Sequence, residues 1–172
     1  MAQPTPVAYT LSAPAGVVGD ITRVDETNVE PANLIAVSSV YAQAYGIPMA
    51  YATGGISQWQ GSNVAADFCG ILARTAPEIS GNTNQGLTDT IPNSSFPNNL
   101  VVRGYVSVVC TIGTPARGGV VYVRTVASGS KNIGDLEATT DPGNNVALSL
   151  TQASWAVDGK DANNITELRV AR

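Results

Sequence analysis

Turn chemistry interrupts this sequence too often for long helices to build it. Gly46 and Pro48, the Gly54, Gly55 and Gly61 cluster, GTPARGG (113–119), ASGSKNIGD (127–135), DPGNN (141–145) and DGKDANN (158–164) punctuate the chain. After residue 46 these signals recur at roughly eight- to fifteen-residue intervals over most of the chain. Between them lie short runs of β-branched and aromatic residues: VAADFCGILART (64–75), LVVRGYVSVVCTI (100–112), VVYVRTV (120–126), LEATT (136–140), VALSLTQASWAVD (146–158) and ITELRVAR (165–172). Such residues fit a pleated surface and are poor choices for a helix. The pattern predicts an all-β chain, a single β-sandwich or jelly-roll-like barrel with little helix. The runs 100–112 and 120–126 predict the two arms of a hairpin closed by GTPARGG, with Val121 and Val123 on one face and Tyr122 and Arg124 on the other. Gly70 reads as a bulge or a point of close packing inside a strand.

Residues 1–33 read as an extended N-terminal arm and 34–172 as the β-rich domain. Pro4, Pro6 and Pro14 block helix in the arm, while Val7, Tyr9 and Leu11 alternate with small or polar residues as in a short strand. That strand would pair at home or add to a neighbour's sheet edge; the alternative is a disordered terminus. In 34–53, Leu34, Val37, Val40 and Tyr41 have helical spacing and allow two to three turns, whereas GIPMAYAT reads as a strand. Trp59 sits on a turn-rich connection and reads as exposed, the alternative being partial burial under its own loop. Residues 76–99, rich in Asn, Pro and Gly, form a long polar loop, a candidate partner-facing surface. Pro4, Pro6, Val7, Tyr9, Leu11 and Trp59 are the candidate protein-interface residues.

Composition narrows the function. The chain of 172 residues has no histidine, which removes Ser-His-Asp and Cys-His nucleophile systems and the usual base near neutral pH. Cys69 and Cys110 lack metal-ligand spacing and sit in apolar contexts, as small buried side chains do. Most of the acidic residues stand in turns, where Asp ordinarily bonds its own backbone. The turn 158–164 offers oxygen atoms to calcium, with a solvated hairpin turn as the default. No catalytic, cofactor-binding or metal residue is assigned, and an enzyme is not expected. The net charge is −4 with no cluster of Lys and Arg, which disfavours nucleic acid. No apolar run approaches a membrane span, and the first twenty residues do not have the pattern of an export signal. Only 13% of residues are charged, about half the usual share, as suits a surface covered by partners.

Several short phrases, in order, carry a resemblance: Pro14-Ala-Gly16, Tyr45-Gly-Ile-Pro-Met-Ala50, Phe68-Cys-Gly-Ile-Leu-Ala-Arg74, GGVVYVR (118–124), Ile133-Gly-Asp135, Trp155 in a late strand, and Ile165-Thr-Glu-Leu-Arg-Val170. Together they resemble the cement, or head decoration, proteins of tailed bacteriophages over most of residues 14–170. The resemblance implies a structural protein without catalytic role, added to the outer surface of the expanded head, whose partners are the phage major capsid protein and itself, as a homodimer in preference to a homotrimer. It implies a virion location after synthesis in the bacterial host cytoplasm. A tail or fibre module, or a β-sandwich adhesin, is the alternative.

Overall fold

The computed structural model describes residues 16–38, 42–74, 92, 94–95 and 97–172. These form an all-β molecule with ten strands: β1 (Asn28–Ala32), β2 (Pro48–Ala52), β3 (Gly55–Gln58), β4 (Phe68–Ala73), β5 (Asn98–Ile112), β6 (Tyr122–Arg124), β7 (Leu136–Glu137), β8 (Asn145–Ala147), β9 (Ala153–Trp155) and β10 (Ile165–Ala171). The helical residues among those described are two single 3-10 turns, Val24–Glu26 and Ala65–Asp67. The strands join in the order β3-β2-β4-β5-β7-β6-β8, with β1 and β10 also on β5 and β9 on β10.

β5 is the spine. Its first part pairs with β1 and β4, residues 103–109 pair with β10, Val106 bridges to Ile21, and Cys110 and Ile112 pair with β7 in parallel. One straight strand cannot serve all these neighbours. The β1–β5 register slips between Asn28↔Arg103 and Val29↔Val101, so β5 carries an extra residue there, a bulge. Next to it Gly104 takes φ +123, and a Cβ at this position would lie 2.4 Å from the Thr27 Cα. The bulge exchanges the faces of the strand. Val101 reaches the main core before it, and the even-numbered Val106, Val108 and Cys110 reach the same core after it. The strand also bends. Leu100 pairs with Leu72, the Leu72 carbonyl accepts the Gly46 N–H at 2.7 Å, and Gly46 packs on the Ser107 carbonyl. Seven straight residues would separate Leu100 from Ser107 by about 23 Å, more than that chain of contacts spans.

β4 repeats the device. Met49 pairs with Gly70 and Ala50 with Phe68, so Cys69 is extra, and Gly70 has φ +151 with its Cα against the Val101 carbonyl. The expected bulge at Gly70 is therefore present. All six β4 residues are buried because this part of the sheet is covered on both sides. Phe68, Ile71 and Ala73 enter the main core around Trp155. Cys69 and Leu72 enter a second cluster with Leu34, Ala42, Tyr45, Met49, Ile56 and Leu100.

Three sequence expectations change. β5 and β6 do not form a hairpin, because β7 lies between them, parallel to β5 and antiparallel to β6. The connecting GTPARGG segment bonds elsewhere: Gly118 N–H to the Trp155 carbonyl, Trp155 N–H to the Gly119 carbonyl, and Gly159 N–H to the Pro115 carbonyl. The run 146–158 is two strands, split where Gln152 N–H bonds the Ser149 carbonyl and the Gln152 side chain accepts from Ser149 N–H. The described parts of 34–47 hold no helix; Leu34 instead bridges in parallel to Ile56.

The long loop 76–99 lies largely outside the described residues, and Asn98 and Asn99 at its end already belong to β5. Within the segment read as an arm, 19–32 follows β5, through Gly19 N–H to the Ser107 carbonyl, Ser107 N–H to the Asp20 carbonyl, Thr22 N–H to the Tyr105 carbonyl, and then β1.

Gly104→Ala is expected to cost about 2–4 kcal/mol, since left-handed strain and a collision with backbone act together. Urea unfolding with an unchanged slope measures this; a cost below about 0.5 kcal/mol would contradict the account of the bend.

Candidate interaction surface

The regular β5–β10 register sets Arg103 opposite Ala171, Tyr105 opposite Arg169 and Ser107 opposite Glu167. These residues share the face turned away from Val106, Leu168 and Val170, which are core. Arg23 crosses this face. Its guanidinium lies 4.0 Å from the Tyr105 ring centroid and bonds Glu167 through Nε at 3.2 Å and Nη2 at 2.7 Å. The Thr22 hydroxyl donates to the same carboxylate. A bidentate pair stacked on an aromatic ring is a fixed arrangement, and the Glu167 hydrogen bond is the largest cause of the raised Arg23 pKa. It pins the chain preceding β1 onto the sheet.

Two depressions adjoin at Tyr105 and Arg169. One, of about 530 Å³, lies between the Asp25–Asn28 segment and Arg103, Tyr105 and Arg169. The other, of about 140 Å³, is lined by Arg23, Arg117, Gly118 and Trp155 among others. Four of the nine basic residues of the chain thus meet on one face. Arg23 is paired. The guanidiniums of Arg103, Arg117 and Arg169 have no hydrogen bond or ion pair among the described residues, and all three residues are exposed.

A second charged assembly is closed instead of open. Arg124 and Glu137 are fully buried and joined by Nε–Oε1 at 2.6 Å and Nη2–Oε2 at 3.1 Å. Arg124 Nη2 also reaches Asp141 at 2.7 Å, and Nη1 reaches the Val126 carbonyl at 3.2 Å. Asn145 Nδ2 donates to Glu137, and Asn144 Nδ2 to Asp141. The alternation that set Arg124 on the face opposite Val121 and Val123 said nothing of burial; its burial is tolerable because nearly every donor and acceptor is matched. The network ties β6, β7 and β8 together. Hydrogen bonding from Arg124, then from Asn144, holds the Asp141 carboxyl down at about 2.

The cysteines and the acids of the 158–164 turn serve the structure. Cys69 and Cys110 are buried free thiols, as expected, and burial pushes the Cys69 pKa up to about 12. Asp161 accepts N–H groups of Asn163 and Ile165, and Asp158 accepts the Arg117 N–H, so the turn 158–164 spends oxygen atoms on backbone. No group of three His, Cys, Asp or Glu side chains converges among the described residues.

Of the sequence-derived interface residues, Pro4, Pro6, Val7, Tyr9 and Leu11 lie outside the described residues. Trp59 is not exposed: it is 2% accessible, inside the main core, with its indole N–H unpartnered among the described residues. Gly134 packs beside its Cβ, and a side chain at Gly61 would collide with the Thr125 carbonyl, so the glycine lets the turn after Trp59 lie against the segment that carries Thr125. The β5–β10 face was missed. Arg103 and Arg169 are scattered in sequence, and only strand pairing makes them neighbours.

An all-β body with small bulged strands, its thiols and many of its turn acids committed to structure and three unpaired arginines on an open face, is that of a binding and structural module. The chain belongs to the XM1 gp53 minor capsid protein family, whose model matches residues 7–170. It is a bacteriophage capsid structural component. A chain in the solved structure "The capsid of Myoviridae Phage XM1" shares the fold, with a TM-score of 0.63 at 16% sequence identity over 94% of each chain. No curated protein matches.

Glu137→Ala, which takes the buried carboxylate from Arg124 and leaves it only one, the half-buried Asp141, is expected to lower stability by about 3 kcal/mol in chemical denaturation. The depressed Asp141 pKa means that its contribution is complete above the ordinary carboxylate range and is lost as pH falls from about 4 through about 2. Asp135, pushed up by burial, works in the opposite sense. Acid titration of Asp141→Asn should therefore lack part of the stability loss seen in this window; an identical titration would refute the assignment.

Proposed function

We propose that this protein is a cement, or decoration, protein. It binds the outer surface of an expanded, DNA-filled bacteriophage head, bridges major capsid protein subunits and holds their joints closed. Membership of the minor capsid protein family carries this reading. Three features support it: a charge content of 13%, low for a surface that stands alone; the open β5–β10 face; and an N-terminal segment whose Val7, Tyr9 and Leu11 alternate as an added strand would. The unit is a homodimer in preference to a homotrimer, placed at a local symmetry axis. Residues Pro4 to Leu11 reach the adjoining subunit. Each copy contributes modestly, and symmetry repeats the contact over the shell.

Heads assembled without this protein should release DNA at a lower temperature than complete heads, and adding the purified protein should restore the difference. Dye-accessible DNA followed on heating measures both. Equal release temperatures with the protein demonstrably absent would overturn the cement role.

A further inference from the structure

Arg103, Arg117 and Arg169 form a spaced array. Arg169 stands opposite Tyr105 and Arg103 opposite Ala171, so Arg103 and Arg169 are diagonal neighbours on one sheet face, about 7 Å apart. Arg117 continues the row across the smaller depression, beside Gly118 and Trp155. Like charges at this distance gain nothing from each other, and among the described residues no counter-charge lies at hydrogen-bond range. Cations that serve the structure are paired: Arg23 with Glu167, Arg124 with Glu137 and Asp141, Lys131 with Asp141.

We propose that this face docks an extended, carboxylate-bearing polypeptide segment of a neighbouring shell subunit, with acidic side chains at alternate positions. The proposal rests on the capsid role argued above. The spacing selects the partner. Side chains at i and i+2 of an extended chain lie on one side, about 7 Å apart, which matches the Arg103–Arg169 separation. Guanidinium forks bind carboxylates in two-pronged fashion. Asp25 and Glu26 line the far wall of the larger depression. They repel an unbroken polyanion such as nucleic acid and confine the acidic side chains to the arginine side. Tyr105 and Arg23, already stacked and held by Glu167, give the floor a fixed shape.

The test uses the full chain and the double variant Arg103→Gln/Arg169→Gln. Both sites are exposed, so the variant should match the wild type in circular dichroism and unfold at the same or a higher temperature. Binding is measured to heads lacking the protein, to a Thr-Glu-Thr-Glu-Thr peptide, to a Thr-Thr-Glu-Glu-Thr peptide of equal charge, and to a single-stranded oligonucleotide. The expected results are at least about a tenfold loss of head binding by the variant, and preference of the wild type for the alternating peptide, weakening with salt. Wild-type binding to heads with undiminished binding by the variant would overturn this face and leave the capsid role standing. Failure of the wild type itself to bind heads would overturn the capsid role, and the peptide pair would then decide the face alone. Equal affinity for the two peptides, tighter binding of the oligonucleotide, or a dimer in sedimentation that the variant abolishes would each overturn the proposed occupant.

Discussion

The bend of β5 at the bulge beside Gly104 is the constraint on which the rest depends. A strand of fifteen residues that stayed straight would meet one set of neighbours and expose one face. The extra residue exchanges the faces of the strand, and the left-handed glycine lets Thr27 seat against the backbone, where its hydroxyl accepts the Tyr105 N–H at 3.1 Å. Beyond that point the strand can serve β10 and β7 while Val101, Val106 and Val108 still share one core. The β10 partnership created by the bend is what brings Arg169 beside Arg103.

Electrostatics separates scaffold from surface. Arg124 and Glu137 in the small β6-β7-β8 ladder are buried and matched, which fixes the geometry of strands only two or three residues long. Replacing such a network by apolar groups need not weaken a protein; its contribution here is to specify how three very short strands align. Charges on the β5–β10 face are exposed and in part unmatched. An overall negative chain that sets Arg103, Arg117 and Arg169 together, unpaired among the described residues, has a surface arranged for a complementary partner, in keeping with a capsid component that works by contact.

Local chemistry was legible in the sequence: β-branched runs, turn residues, the bulge at Gly70, the buried cysteines and the backbone-bonding turn acids. These follow from propensities acting over a few residues. Trp59 was misread as exposed, and the burial of Arg124 was not legible, because alternation and loop position describe a strand or loop alone, whereas burial is supplied by elements distant in sequence, the main core for one and Glu137 with Asp141 for the other. The arm residues Pro4, Pro6, Val7, Tyr9 and Leu11 rest on sequence pattern alone.

The sequence by itself determined the class of fold and the absence of histidine chemistry, because strand formers, turn formers and missing side chains are local facts. Tertiary structure alone decided that β7 enters between β5 and β6, that β5 bends, and that Arg103 and Arg169 stand together. Those outcomes depend on which strands bury each other's faces, a balance among contacts far apart in the chain that no short window contains.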